Sequence, residues 1–315
     1  WYGIFICLGF LLAIIYCFKR MEKSGVDDNR AFDVVLWGAI GAIIGARLYY
    51  VFTSWDDFKN NLISIFNIRT GGLAIYGGVI GALVVGLIVA KIRKLYFPPL
   101  LDLAGIGFLI GQSIGRWGNF FNHECFGSNT TLPWGMTSPR IAAQISNEMA
   151  DVFLKTGIQL EPNLPVHPCF LYESLWCGLG ILILHLYSKH KKFDGEVFLM
   201  YIGWYGLGRM FIEGLRTDSL MIGNFRISQV VAVLCVVASI ALIIILRRKA
   251  EVDGYTFYKD TDDFKEKLAE SKAKEKEYEN KRAEKNSAKL AKRKSTLSSK
   301  DKIIDDETEI SKEDN

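Results

Sequence analysis

Apolar residues along this chain come in blocks of about 20 without strand-like alternation, the length at which a helix crosses a hydrocarbon core of roughly 30 Å. Seven such blocks are legible, over residues 1–18, 32–54, 71–90, 99–122, 168–187, 195–215 and 227–246. A bilayer offers the backbone no water to bond, so helices are the spanning form. The pattern predicts an all-α, polytopic integral membrane protein with about seven transmembrane helices.

Charge between the blocks sets the orientation. Lys19, Arg20, Lys23 and Arg30 follow the first block, Lys91, Arg93 and Lys94 the third, Lys189, Lys191 and Lys192 the fifth, and Arg247, Arg248 and Lys249 the seventh. The alternate loops hold fewer: Lys59 and Arg69, Arg140 and Lys155, and none in 217–224. The N-terminus is therefore expected outside and the C-terminus in the cytoplasm. The chain opens at Trp1 with no methionine, which implies residues upstream.

Two parts follow: a transmembrane domain over 1–249, with an outer-face segment at 123–166, and a tail over 250–315. The tail is dense in both signs of charge and too poor in apolar residues to bury a core. It is predicted to be disordered or partly helical. The formal net charge of +4 belongs to the helix flanks and this tail, not to a nucleic-acid surface. Six cysteines show neither CxxC nor metal-ligand spacing, so no metal is expected. Cys125 and Cys169 fall on the outer side, where a disulfide is chemically permitted.

The candidate chemistry lies where polar residues interrupt the blocks. Gln112, Arg116, Asn119 and His123 are spaced by four, three and four, and so share one face of the fourth block near its outer end. Tyr205, Arg209, Glu213 and Arg216 repeat the pattern on the sixth. An arginine at such depth costs about 2.5 kcal/mol or more unless paired or hydrated. Arg209 and Glu213 can satisfy one another at spacing four, which leaves Arg116 in need of an anionic partner. Further polar groups lie at the same level: Trp1 and Tyr2, Arg47, and His167, Tyr172 and Glu173 entering the fifth block. Arg47 is expected to snorkel. Gly77, Gly78 and Gly81 read as helix packing through small residues, whereas Gly115, Gly118 and Gly127 frame the arginine segment itself. "GQSIG" at 111–115 imitates a nucleophile elbow, but Ser113 sits inside a spanning block and not on a strand-to-helix turn.

The run "GRWGNFFNHECFG" resembles the signature G-R-x-G-N-F-x-N-x-E-x-x-G of the prolipoprotein diacylglyceryl transferases of bacterial cytoplasmic membranes, with Gly115, Arg116, Gly118, Asn119, Phe120, Asn122, Glu124 and Gly127 in place. "WYG", "GARLYYV", "HP" with "LYES", and "YGLGRMFIEGLR" extend the likeness over residues 2–216, the tail excluded. The resemblance implies transfer of a diacylglyceryl group from phosphatidylglycerol to the lipobox cysteine thiol of a prolipoprotein, forming a thioether and releasing glycerol phosphate. It implies phosphatidylglycerol, prolipoprotein signal peptides and membrane lipids as partners, no cofactor and no nucleic acid. By the matched motifs Arg116, Arg209 and Tyr76 are candidate catalytic residues. Tyr2, Asn119, Asn122, Glu124, Gly127, Glu213 and Arg216 are candidate substrate-binding residues.

The chemistry of the residues fits that reaction. Guanidiniums bind a phosphodiester through forked, charge-assisted hydrogen bonds and stabilise the charge that develops on the leaving phosphate. The thiol must lose its proton, and here the chain departs from the family. Many members carry H-G-G-x-I-G where this one reads "YGGVIG", with Tyr76 in the histidine's place. A phenol with a pKa of about 10 is a poor base at neutral pH. Either Glu124, His123 or His167 takes the proton, or the arginines activate the thiol electrostatically. The alternative class is a transporter or lipid flippase. Against it, no inverted repeat is visible and the charged stripes cluster in the outer half instead of straddling the midplane.

Overall fold

In the computed structural model, residues 1–59, 61–67, 71–217, 219, 221–223 and 225–313 are described, with side chains to 287 except those of 155 and 222. Arg69, counted above among the outer charges, lies outside the described residues. The chain divides into a compact unit, Trp1–Thr261, and a second unit, Asp262–Asn315.

Ten helices run through the described residues: α1 (Tyr2–Phe18), α2 (Asp28–Thr53), α3 (Trp55–Phe58), α4 (Ile75–Ile92), α5 (Phe97–Asn122), α6 (Pro139–Thr156), α7 (Cys169–Tyr187), α8 (Glu196–Ile212), α9 (Ile227–Asp253) and α10 (Asp262–Glu313). Five apolar stretches, in α2, α4, α5, α7 and the helix starting at Ile227, are long enough to cross a membrane, and α1 is apolar but 17 residues long. α8 also has 17 residues and is extended to Leu215 by a 3-10 turn. Among the described residues the fold is all-helical as expected, apart from a short two-stranded ribbon, Met221–Ile222 against Phe225–Arg226. The ribbon tightens the turn between α8 and α9.

Small residues set the pairing. Tyr2 meets Gly118, Gly9 meets Gly111 and Cys17 meets Gly107, so α1 runs antiparallel along α5. On α2 and α4 the backbones of Gly41 and Gly45 lie directly against those of Gly81 and Gly77. A Cβ at Gly81 would overlap the Gly41 carbonyl, so only glycine permits this approach. α7 and α8 are locked by Trp176 and Trp204, whose rings stack 4.3 Å apart while each indole N–H donates to the other's backbone carbonyl (2.9 and 3.0 Å). The outward faces of α4 and α9 expose Ile80, Leu83, Leu87, Leu234 and Ile245, as a lipid-facing surface requires.

The α2–α4 pair meets α1 and α5 in a buried cluster of Met21, Val26, Ala31, Val34, Ala90, Leu95, Leu100 and Leu103. These residues lie at one end of the helices, called here the base, which also carries the α1–α2, α4–α5 and α7–α8 turns. At the other end, which the charge pattern predicts to lie outside, residues 123–166 fold as a compact element, called here the outer element. Ser138 caps α6 by accepting from the Ile141 N–H (3.1 Å), and Ile141, Ile145 and Val152 pack with Phe126, Leu160 and Val166.

Of the tail, the structure keeps residues 250–261 in the compact unit, and the second unit is a single charged helix, α10. The helix is laced by pairs at spacing four such as Glu270–Lys274 (2.6 Å) and Glu277–Lys281 (2.5 Å).

Candidate active site

Glu173 is the centre of the polar constellation. It enters in the second turn of α7, is 5 % exposed, and meets three guanidiniums from two other segments. Its Oε2 lies 2.5 Å from Arg116 on α5, and its Oε1 lies 3.1 Å from Arg209 on α8 and 3.2 Å from Arg216 just beyond it. Arg209 also pairs with Glu213 at 2.6 Å, one turn on. Glu213 is buried at 1 % exposure, and Arg216 at 6 %. Removing these ions from water is costly unless they are paired; the contacts give each carboxylate a guanidinium and draw α5, α7 and the end of α8 around one point.

The glycine-framed motif folds back beside the cluster. α5 ends at His123, whose φ of 59° is left-handed, and its ring Nδ1 lies 3.2 Å from the Phe121 carbonyl, so His123 leaves the predicted polar face. The turn brings Glu124 under the helix end, where its carboxylate accepts from the side-chain amides of Asn119 (2.8 Å) and Asn122 (3.3 Å). Gly127 bridges to Arg216 and packs against His167 and Cys169. The outer element is thereby stitched to the ion cluster: the Ser128 N–H donates to the Leu215 carbonyl (2.8 Å) and the Gly127 N–H to the His167 carbonyl (2.9 Å).

Beneath Glu173 and Arg209 is a narrow crevice of about 10 Å³, lined also by Trp176, Cys177, Tyr205, Gly208 and Ile212. Its volume is about that of one water molecule. At the rim of the outer element, the Trp134 indole donates to the Tyr172 hydroxyl (2.9 Å), which lies 3.1 Å from Nδ1 of His167. Burial holds the His167 imidazole below its ordinary range, so it is uncharged at neutral pH.

Arg116, Asn119, Asn122, Glu124, Gly127, Arg209, Glu213 and Arg216 are thus gathered in one region. Tyr2 lies at its edge, with its ring on Gly118. Tyr76 is elsewhere in the contact network: it stands in the first turn of α4, 57 % exposed, its ring 6.5 Å from that of Tyr49. No described contact joins it to the arginines. Arg47 does not snorkel. It is 7 % exposed and donates to the carbonyls of Ser64, Ile65, Asn67, Gly71 and Gly72 at 2.7–3.0 Å, closing the loop that leads into α4. Glu173 was read in the sequence as one of several polar groups at this level and not as the partner of Arg116. Its signal was the unpartnered Arg116, but only tertiary packing assigns the partner.

The family model for prolipoprotein diacylglyceryl transferase matches residues 1–245. Similar proteins include the phosphatidylglycerol–prolipoprotein diacylglyceryl transferases of Listeria welshimeri (42 % identical over 257 residues, covering 81 % of this chain and 88 % of the relative) and of Bacillus cytotoxicus (42 % over 255 residues, 80 % and 90 %). That of Finegoldia magna is 40 % identical over 243 residues, covering 77 % of this chain and 89 % of the relative.

Proposed function

The chain belongs to the prolipoprotein diacylglyceryl transferase family, and from that premise we propose that it carries the diacylglyceryl group of phosphatidylglycerol to the lipobox cysteine of a prolipoprotein signal peptide at the ion cluster around Glu173. The observation that carries the assignment of the site is that three arginines, from α5, from α8 and from just beyond α8, converge on one buried carboxylate. Glu173 holds the guanidiniums where an anion is wanted. The donor's phosphate takes over contacts to Arg116 and Arg209, while Glu173 keeps Arg216 and Glu213 keeps Arg209.

In the transfer step the cysteine sulfur attacks the glyceryl carbon that bears the phosphate ester. The sulfur–carbon bond forms, the carbon–oxygen bond breaks, and the bonding pair leaves with glycerol phosphate. The thiol proton passes to a base. Charge grows on the phosphate as the bond breaks, and guanidiniums fixed in advance stabilise it more in the transition state than in the ground state. Asn119, Asn122 and Glu124 shape the turn beside that point, and Tyr2, Gly127, Glu213 and Arg216 line its approaches. Tyr76 contributes a hydrogen bond and not the base.

Seven spans are assigned to α1, α2, α4, α5, α7, α8 and α9, with the N-terminus and the 123–166 element outside and the base in the cytoplasm of a bacterial plasma membrane. The transporter reading is not favoured, because the helices converge on a point charge cluster and not on a path. The test is incubation of the purified protein, in bilayers containing phosphatidylglycerol, with a peptide bearing a lipobox cysteine. Mass analysis is expected to show a diacylglyceryl thioether on that cysteine and release of glycerol phosphate; an unmodified peptide with well-inserted protein would contradict the assignment.

A further inference from the structure

Residues 255–261 follow the last spanning helix and lie beyond the stretch that matches the family model, which ends at 245. They nonetheless belong to the compact unit, and they touch all three turns at the base. After the left-handed Gly254, the chain reverses, with the Tyr255 N–H donating to the Ala250 carbonyl (3.0 Å). On the α7–α8 turn, Asp194 accepts from the Tyr255 hydroxyl (3.0 Å) and from the Tyr258 N–H (2.9 Å), while its own N–H donates to the Tyr255 oxygen (3.1 Å). On the α4–α5 turn, the ring of Tyr96 lies 4.7 Å from that of Tyr258. On the α1–α2 turn, Gly25 approaches so closely that a Cβ there would fall 2.9 Å from the Lys259 nitrogen.

Asp194 is itself tied into the bundle. Lys191 bridges it (2.6 Å) to Asp102 of α5 (2.9 Å), and Asp102 accepts the Gly195 and Phe198 N–H groups that open α8. The strap is therefore fastened on one side to α5 and α8, which carry Arg116 and Arg209. On the other side it is fastened to the turns that end α4 and begin α2. The base cluster that joins the α2–α4 pair to α1 and α5 lies at the same level, with Leu95 next to Tyr96 and Val26 next to Gly25.

We propose that Tyr255 and Tyr258 are positioning residues that clamp the α2–α4 pair to the arginine-bearing helices from the base, and so set the alignment of the outer halves where transfer occurs. The inference rests on the function proposed above for its catalytic readout, but its structural readout does not. A helix pair held at one end swings at the other: a small angular freedom at the base becomes a displacement of ångströms about 25 Å away, the length of an 18-residue helix. The arginine cluster, built on α5, α7 and α8, is untouched by such a swing.

The test uses the full chain in phosphatidylglycerol-containing bilayers, as wild type, Tyr255→Phe/Tyr258→Ala, Tyr258→Ala and Tyr258→Phe. Hydrogen exchange is followed in segments 40–53 and 74–84, and turnover is measured with a lipobox peptide. The double variant is expected to exchange faster in both outer segments and to lose turnover several-fold in kcat with KM for the donor unchanged. Tyr258→Ala should show the same pattern at smaller amplitude, which keeps the test independent of whether the double variant folds. Tyr258→Phe, which keeps the ring on Tyr96, should match wild type. Unchanged exchange in 40–53 and 74–84 would overturn the clamp, as would an equal loss in Tyr258→Phe or a rise in KM with kcat intact. If no variant, wild type included, forms the thioether, the function fails while the exchange data still decide the clamp.

Discussion

Arg116 announced itself in the sequence as a buried cation without a partner; Glu173 did not, because it follows "LY" at a helix entry where interface-belt residues are common. Only the crossing of α5 over α7 and α8 makes it the shared acceptor of three guanidiniums. That role predicts an unusual phenotype. Glu173→Gln removes the internal competitor for an anion, so free glycerol phosphate should inhibit this variant more strongly than wild type even though turnover falls. Equal inhibition constants would show that Glu173 does not occupy the phosphate's place. Tyr76 is more than half exposed and makes no described contact with the arginines, so Tyr76→Phe should remove one hydrogen bond, about 0.5–1.5 kcal/mol and at most about tenfold in rate. A loss above about a hundredfold, rescued by Tyr76→His, would make that position the base. His167 gives a pH signature. Its imidazole is held low by burial, so on acidification the unfolded chain takes up the proton first. The stability this residue supports is full at neutral pH and is lost as pH falls through the ordinary histidine range toward the folded value. His167→Asn should flatten the decline in stability between about pH 7 and pH 5; an unchanged slope would assign the decline to other groups.

At the level of elements, each of the seven apolar blocks falls on a helix, and five of those helices are long and apolar enough to cross a membrane, because a 20-residue apolar block has few alternatives. Their ends were less legible. α4 begins at Ile75, not 71, because Gly71 and Gly72 adopt positive φ (90° and 75°) and Arg47 holds both of their carbonyls. α8 stops at Ile212, where the backbone tightens into a 3-10 turn that lets Arg216 reach back to Glu173. α6 was not assigned, although its serine cap and terminal Gly157 mark its ends. The glycines of α2 and α4 were legible as packing, and the structure makes the expectation specific. Gly81→Val must push Gly41 away and should cost about 1–3 kcal/mol through overpacking. Gly111→Ala, where a Cβ meets nothing within 4 Å, should leave the melting temperature unchanged or higher. Equal melting temperatures for wild type and Gly81→Val would mean that the seam is loose.

For the whole molecule, composition placed the tail boundary near 249, but aromatic anchors in an otherwise charged run carry the compact unit to Thr261. Composition averages over such anchors and so passes over Tyr255 and Tyr258. Truncation after Thr261 should therefore leave transfer intact, whereas truncation after Lys249 should not; full activity in the shorter protein would return the boundary to 249. The orientation has its own check, since Asn163→Cys should react with a membrane-impermeant thiol reagent from outside intact cells and Lys281→Cys only after lysis. The central claim is that Arg116 and Arg209 hold the donor phosphate around Glu173, and the most direct measurement of it is kcat/KM for peptide lipidation by purified, bilayer-inserted Arg116→Ala beside wild type. Loss of one preorganised charge-assisted contact in the transition state is worth on the order of 3 kcal/mol, so a fall of about a hundredfold or more with the helical content intact is expected. Turnover close to wild type in a folded Arg116→Ala protein would contradict the account.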